Sequence, residues 1–308
     1  MENTTQACQK ILVKGFDGIL LYEFDMDVSE TTGFDTPSNP DLERTTWTSS
    51  AYLLAPLPLR GVEGLPYCTM RMCHMRGLRN RLTKELVLQP TLPTKQVQEN
   101  LSTTLEYWKS SEAYTELKSV LTSNWSSLKV NKIATFGLGS PSIGGKDTAD
   151  ATKDTPRDRS RARSLYQHSL IIALHMLISG LSNHGDIKCL AQEPKYTDVD
   201  KEVLQEFGVT IVDDPYGFLE ADETTAIVSI APHAPIKEIV TELAHPAVMI
   251  WNKSQKDPSP VYTDPETPRV KELIRSSYHT VQSTADLEHF GDLLVHMRKT
   301  KLPLKGKL

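Results

Sequence analysis

Short apolar runs alternate with amphipathic segments through the middle of the chain, between residues 129 and 256. Apolar runs of this length, joined by helical segments, indicate strands that pair in parallel and are buried on both faces. We therefore predict an α/β fold with a Rossmann-like, doubly wound, mostly parallel sheet of about five strands. The predicted strands are Ile133–Phe136, Ile187–Ala191, Val209–Val212, Ala226–Ile230 and Ala247–Trp251.

The regions on either side of this segment have different patterns. Residues 1–128 are predicted to form an N-terminal, mixed and partly helical extension, whose two packed helices between Val97 and Leu128 are broken near Ser110. Residues 257–308 are predicted to form a helical C-terminal segment that ends in a basic tail. The domain of residues 129–256 thus lies between a mixed, partly helical extension and a helical C-terminal segment.

The overall charge and the apolar content narrow the classes of partner. A net charge of −5 argues against a nucleic-acid binder, because phosphate binding needs a basic surface. The most apolar stretch, Ser169–Leu181, is about 13 residues long, which is too short for a membrane span. The N-terminus lacks a secretory pattern, so the four cysteines are expected to be reduced thiols. We therefore expect a cytoplasmic or nuclear protein that binds neither nucleic acid nor membrane.

A glycine-rich turn follows the first predicted strand. In open α/β sheets, ligands lie beyond the carboxyl ends of the strands, so this turn is a candidate binding loop. Gly137 and Gly139 allow a tight turn and a close backbone approach, while Ser140 and Ser142 supply polar groups. Ser142 stands where a dinucleotide fingerprint has its third glycine, and the polar insert Ile143–Ala162 delays the next helix. The alternative is a turn that only closes the strand.

Three further polar side chains follow other predicted strands. Glu193 is the candidate partner for ribose hydroxyls, and a solvated loop carboxylate is an equal alternative. His233 lies in a loop stiffened by two prolines and is the candidate general acid or base. The alternative for His233 is a histidine that only packs or bonds locally. Asn252 follows the last strand and is expected to complete the polar rim.

Known metal and nucleophile motifs are missing from the sequence. Cys68, Cys73 and His74 have a zinc-like composition, but no second pair completes four ligands at standard spacing. His168 and His175 lie within the apolar helix that is expected to begin at Arg163, where core histidines are the simpler interpretation. The chain contains no nucleophile elbow, P-loop or H-E-x-x-H motif. We therefore predict no metal ligands.

Five short motifs occur in a characteristic order. They are Phe136–Ser140, Leu165–Gln167, Tyr196–Val209, Ala231–Pro235 and Ile250–Asn252. Together they resemble the "sensitivity to red light reduced" (SRR-like) domain family of eukaryotes, from about Lys132 to Ser254. Relatives tend to carry Arg where this chain has Leu165, and Asp-Pro where it has Glu193-Pro194.

This resemblance implies a fold and a site more than a reaction. The family is associated with circadian input and light signalling in plants, microtubule-drug sensitivity in yeast and haem metabolism in animals. One hypothesis is a cofactor binder or transferase, with S-adenosylmethionine or NAD(P) as the leading ligands. A single G-x-G favours methyl transfer over hydride transfer, which needs a fuller glycine fingerprint. The other hypothesis is a regulatory or scaffold protein that keeps only the fold and binds protein partners through residues 1–125.

Overall fold

The computed structural model describes residues 90–143, 156–182, 186–232, 234–253, 264–283 and 288–299, the backbone of short strands between Gln9 and Asn80, and the turn at residues 82–83. Contacts divide the chain into two compact units, Met1–Leu88 and Gln89–Leu308. The second unit holds the predicted sheet together with the seven α-helices of the described residues.

The first unit contains antiparallel strand pairs. Each pair joins two segments of the same unit, and the second pair is formed by strands that are distant in sequence. The pairs are β1 (Gln9–Lys14) with β2 (Leu21–Met26), β3 (Leu42–Thr48) with β6 (His74–Asn80), and β4 (Tyr52–Leu53) with β5 (Met70–Arg71). Cys68 and Cys73 lie outside the described residues.

The second unit is an α/β domain built on a seven-stranded sheet of order β12-β13-β11-β10-β7-β8-β9. The five predicted strands are present and pair in parallel. Two further strands pair antiparallel, so the sheet is mixed. The strands are β7 (Lys132–Phe136), β8 (Lys188–Gln192), β9 (Val209–Ile211), β10 (Thr225–Ser229), β11 (Val248–Asn252), β12 (Tyr278–Ser283) and β13 (Leu293–Arg298).

The antiparallel strands correct the prediction of a helical C-terminal segment. The helix in this region ends at Ser277, and β13 then pairs with both β11 and β12. Apolar residues in this segment recur at spacings of three and four, which suit a helix. Within β13, however, Leu293, Val295 and Met297 are buried on one face of the sheet, with the period of two of a strand. Pairing with β11 therefore overrides the local pattern.

Seven α-helices are found in the described residues, and they refine the predicted bounds. The predicted break near Ser110 is confirmed, because the first helix ends there and the Ser111 hydroxyl accepts a hydrogen bond from Tyr114 N (3.1 Å) to cap the second. The apolar helix begins at Pro156, earlier than the predicted Arg163. The helices are α1 (Thr94–Lys109), α2 (Glu112–Asn124), α3 (Pro156–Leu181), α4 (Asp198–Glu206), α5 (Tyr216–Leu219), α6 (Ile236–Leu243) and α7 (Pro268–Ser277).

Helices cover both faces of the sheet. Along β11, Val248 and Ile250 pack in the core that contains residues of α1 to α4. Met249 and Trp251 alternate with them and pack in a second core, with residues of α5 to α7. This alternation explains the continuous apolar runs, because a strand buried on both faces has no polar side.

The third helix is long and contains an extended apolar stretch. By length and composition alone, its segment Asp158–Leu181 could cross a membrane. Its apolar face, however, packs in the core, where Leu170, Ile172 and Leu174 are fully or almost fully buried. A core helix meets the same criterion of length and composition, and the packing of α3 fits that role.

The packing of α1 makes a prediction about stability. Leu101 of α1 is fully buried in the same core as the sheet, whereas Leu243 of α6 is 54% exposed. Leu101→Ala should lower the free energy of unfolding by about 2–5 kcal/mol through lost burial and a residual cavity. Leu243→Ala, the matched control, should change it by less than about 0.5 kcal/mol. Denaturant unfolding measures both, and equal stability of the two variants would show that α1 is not part of the core.

Candidate functional site

The strand order of the sheet reverses at β7, the first of its strands along the chain. Strands β8 and β9 lie on one side of β7, while β10 and β11 lie on the other. The connections that leave β7 and β10 therefore diverge, and their carboxyl ends lie next to each other. Such a reversal is where ligands bind in open α/β sheets. The candidate site is thus the carboxyl edge of β7, β8, β10 and β11.

Two glycines shape the loop that follows β7. Gly137 and Gly139 have φ angles of +71° and +69°, in the left-handed region that side chains rarely adopt. A Cβ atom on Gly137 would lie 2.7 Å from Cβ of Pro232, in the loop after β10. Glycine at position 137 therefore allows the two loops to touch at the reversal.

A buried carboxylate, Asp200 of α4, accepts hydrogen bonds from the same loop. Its side chain is fully buried. The Ser140 hydroxyl donates to Asp200 Oδ2 (2.6 Å), and the Ser142 backbone N–H donates to Oδ1 (2.9 Å). The two serines predicted as ligand contacts are therefore buried and hydrogen-bonded within the protein.

Asp200 also fixes the start of α4. Thr197 N donates to Asp200 Oδ2 (2.8 Å) and Asp200 N donates to Thr197 Oγ1 (3.2 Å), which forms a capping box. The Ser142 hydroxyl lies 2.8 Å from the same Thr197 oxygen. One carboxylate thus joins the loop after β7 to the first turn of a helix.

The carboxylate of Glu193 supports the loop from β8. Gly139 N donates to Glu193 Oε2 (3.0 Å), and Lys195 N donates to Oε1 (3.0 Å). Both oxygens therefore accept main-chain hydrogen bonds, and a ribose hydroxyl would have to share them. The role of Glu193 in ribose binding stays a prediction.

A buried histidine of α3, His168, has a hydrogen-bond partner at each ring nitrogen. His168 Nδ1 is 2.6 Å from the Ser164 carbonyl oxygen, and Nε2 is 2.7 Å from the Tyr196 hydroxyl. A carbonyl can only accept, so Nδ1 carries the proton and the tyrosine donates to Nε2. Burial lowers the pKa of His168 from 6.5 to about 4 and raises that of Tyr196 well above its ordinary value. His168 is therefore a neutral core residue, as its place in an apolar helix predicted.

The amide of Asn252 joins two loops at the other end of the site. Its Oδ1 accepts a hydrogen bond from Ala231 N (2.6 Å), and its Nδ2 donates to the Phe290 carbonyl. Ala231 has a φ of +47°, so the turn after β10 is held in a strained conformation. His233, the predicted general acid or base, lies outside the described residues.

A buried lysine that the sequence did not single out lies next to Asn252. Lys237 Nζ donates to the carbonyl oxygens of Asn252 (2.9 Å) and Asp264 (3.2 Å), and it is 3.8 Å from Asp264 Oδ2. Burial lowers the pKa of Lys237 and raises that of Asp264 to about 7. This pair ties together the two described ends of the segment between β11 and α7. The position of Lys237 in the sequence, one residue after the start of the apolar helix α6, does not indicate that its side chain is buried.

The described candidate residues therefore lie along one edge of the sheet. Contacts run from Glu193 to Gly139, from Gly137 to Pro232, and from Ala231 to Asn252. Among the residues that the structure describes, no three His, Cys, Asp or Glu side chains are grouped as metal ligands would be.

The buried carboxylate leads to a stability prediction with a matched control. Asp200→Ala leaves the donors of Ser142 and Thr197 without their acceptor, so the free energy of unfolding should fall by about 3 kcal/mol or more. Asp198→Ala, two residues earlier in the same turn, removes a fully exposed carboxylate and should cost less than about 0.5 kcal/mol. Chemical denaturation measures both values. Equal losses would mean that Asp200 does not hold the loop.

The lowered pKa of His168 predicts acid sensitivity. Unfolded His168 binds a proton below about pH 6.5 and the folded residue only below about pH 4, so the native state loses stability as the pH falls through this window. The loss from this residue should reach about 3 kcal/mol. His168→Gln removes the titration, so the stability advantage of the wild type should shrink by that amount between pH 6.5 and pH 4. Parallel stability curves for the two proteins would contradict a neutral, buried His168.

Comparison with known proteins identifies the family of the domain that carries this edge. The model of the SRR1 domain matches residues 94–297, about two thirds of the chain, whereas no curated protein matches it. The match extends the resemblance of Lys132–Ser254 in both directions, because it also covers α1, α2 and nearly all of the C-terminal hairpin. It includes every described residue of the candidate site. The chain belongs to the SRR1 domain family.

Proposed function

We propose that this protein binds a small, nucleotide-like ligand at the carboxyl edge of a Rossmann-like, doubly wound sheet. One observation carries the proposal: a left-handed G-x-G loop follows the strand at which the sheet order reverses. Asp200 and Glu193 already fix that loop from inside the protein. A preorganised loop binds at lower entropic cost than one that must order around its ligand.

The chemistry of the loop favours an anionic or polar ligand with an adenosine-like group. A glycine turn lets phosphate or carboxylate oxygens approach its backbone closely, and a ligand at the Gly139 N–H would share that donor with Glu193. S-adenosylmethionine stands ahead of NAD(P), since Ser142 replaces the third glycine of a dinucleotide fingerprint. The corresponding reaction is a methyl transfer, in which His233 is our candidate general acid or base.

A regulatory or scaffold role is the second candidate, and a specific observation favours it. The side-chain oxygens of Ser140, Ser142 and Glu193 all make hydrogen bonds within the protein. These groups therefore serve the fold whether or not a reaction takes place. In this case residues 1–125 would bind protein partners in the cytoplasm or nucleus.

His233→Ala separates the two roles: lost turnover with unchanged ligand affinity supports the transferase, and full turnover removes His233 from the mechanism.

A ligand screen with matched glycine variants tests the binding proposal. S-adenosylmethionine, NAD and NADP are added separately to the purified protein, and its melting temperature is measured. A ligand that binds only the native state should stabilise it by about 2.7 kcal/mol at a concentration 100-fold above its Kd. Gly139→Ala should weaken that binding at least about tenfold, because the left-handed backbone that a side chain disfavours shapes the loop.

Gly180→Ala is the control for this substitution. Gly180 lies in α3, and a Cβ atom there would meet no atom within 4 Å, so the change should leave ligand affinity unaltered. At Gly139 the nearest atom to a new Cβ is Ser164 Oγ at 3.7 Å, which is an ordinary contact. A loss of affinity in Gly139→Ala would therefore report a change in backbone conformation and not a steric clash. Equal ligand affinity in both variants, or stabilisation by none of the three compounds, would count against this ligand class at this edge.

A further inference from the structure

A cleft opens at the edge of the sheet opposite the candidate site, where the parallel strands begin. It has a volume of about 490 Å³, which suits a small molecule. Its walls come from the turn before β7, the loops before β10 and β11, the end of α7 and the end of β13. The polar residues that matter here are Lys129, Glu223, His245, Ser277, Arg298 and Lys299.

Positive charge dominates this cleft. Lys129, Arg298 and Lys299 carry three cationic groups, whereas Glu223 is the carboxylate that lines it. The whole chain is negative, with a net charge of −5. A local excess of positive charge on an acidic protein favours a negatively charged ligand at this place.

Two of the cations are held in place by backbone carbonyls. Arg298 Nη1 donates to the His245 carbonyl oxygen (2.7 Å), and only 27% of the arginine side chain is exposed. Lys299 Nζ donates to the carbonyl oxygens of Arg275 (2.9 Å) and Ser276 (3.2 Å) at the end of α7. A guanidinium has five N–H donors and an ammonium has three, so further donors remain for a ligand. Neither side chain needs to be ordered when an anion arrives.

The acidic residue in the cleft does not block it. Glu223 Oε2 lies 3.6 Å from Arg298 Nη1, and 77% of the glutamate side chain is exposed. An ion pair at this distance, whose carboxylate is mostly exposed to water, contributes little free energy. A stronger anion can therefore displace Glu223 from the arginine.

We propose that this cleft binds a small phosphate monoester. A planar guanidinium matches two phosphate oxygens at once, and Lys129 and Lys299 add point charges. The hydroxyl of Ser277 supplies a neutral donor beside them. A dianion balances the excess of two positive charges, and the volume leaves room for the small polar group that carries the phosphate.

Calorimetric titration of the full chain with glycerol 3-phosphate and with inorganic phosphate tests this proposal. We expect saturable binding in the millimolar range or tighter, with the ester at least as tight as the free ion. Lys129→Glu reverses an exposed charge in the cleft and should weaken binding at least about tenfold. Lys118→Glu makes the same change of net charge on α2, outside the cleft, and should leave binding unaltered.

Three results would overturn the phosphate site. They are the absence of saturable binding by either compound, equal weakening by the two lysine variants, and unaltered binding in Lys129→Glu. Arg298→Lys, which keeps the charge but loses the planar donor pair, should also weaken the binding. The outcome is independent of the proposed function, because Gly139→Ala at the carboxyl edge should leave phosphate binding unchanged.

Discussion

The structure of the candidate site depends on one buried carboxylate. A charge that is removed from water is costly unless hydrogen bonds compensate it, and Asp200 is fully buried. Its two oxygens receive donors from Ser140, Ser142 and Thr197, so the loop after β7 and the first turn of α4 are fixed together. This interaction, with the two left-handed glycines, sets the backbone at the point where the sheet order reverses.

The two edges of the sheet differ in how their polar groups are used. At the carboxyl edge, Glu193, Asn252 and Lys237 bond to backbone atoms of neighbouring loops, and the Gly139 N–H of the glycine turn is one of the groups they bond. At the opposite edge, Lys129 and Arg298 face a cleft with an excess of positive charge. An adenine nucleotide carries both an adenosine group and phosphates, so variants at each edge are needed to assign such a bound nucleotide to one of the two edges.

The sequence predicted what depends on local periodicity. The five parallel strands and the break at Ser110 follow from apolar runs and spacing, and both are present. The strands β12 and β13 were missed, because their apolar spacing fits a helix and only pairing with β11 decides the outcome. The burial of Lys237 was also missed, since its partner Asp264 is distant in sequence. The role of Asp200 was missed as well, although Thr197 three residues earlier signals a capping box.

Hydrogen–deuterium exchange in the presence of S-adenosylmethionine tests the ligand site most directly. The amides of residues 137–143 should exchange more slowly when the compound is bound, while those of residues 127–129 at the opposite cleft should not change. Protection confined to residues 127–129, or no protection in a folded protein at saturating ligand, would contradict binding of this compound at the carboxyl edge.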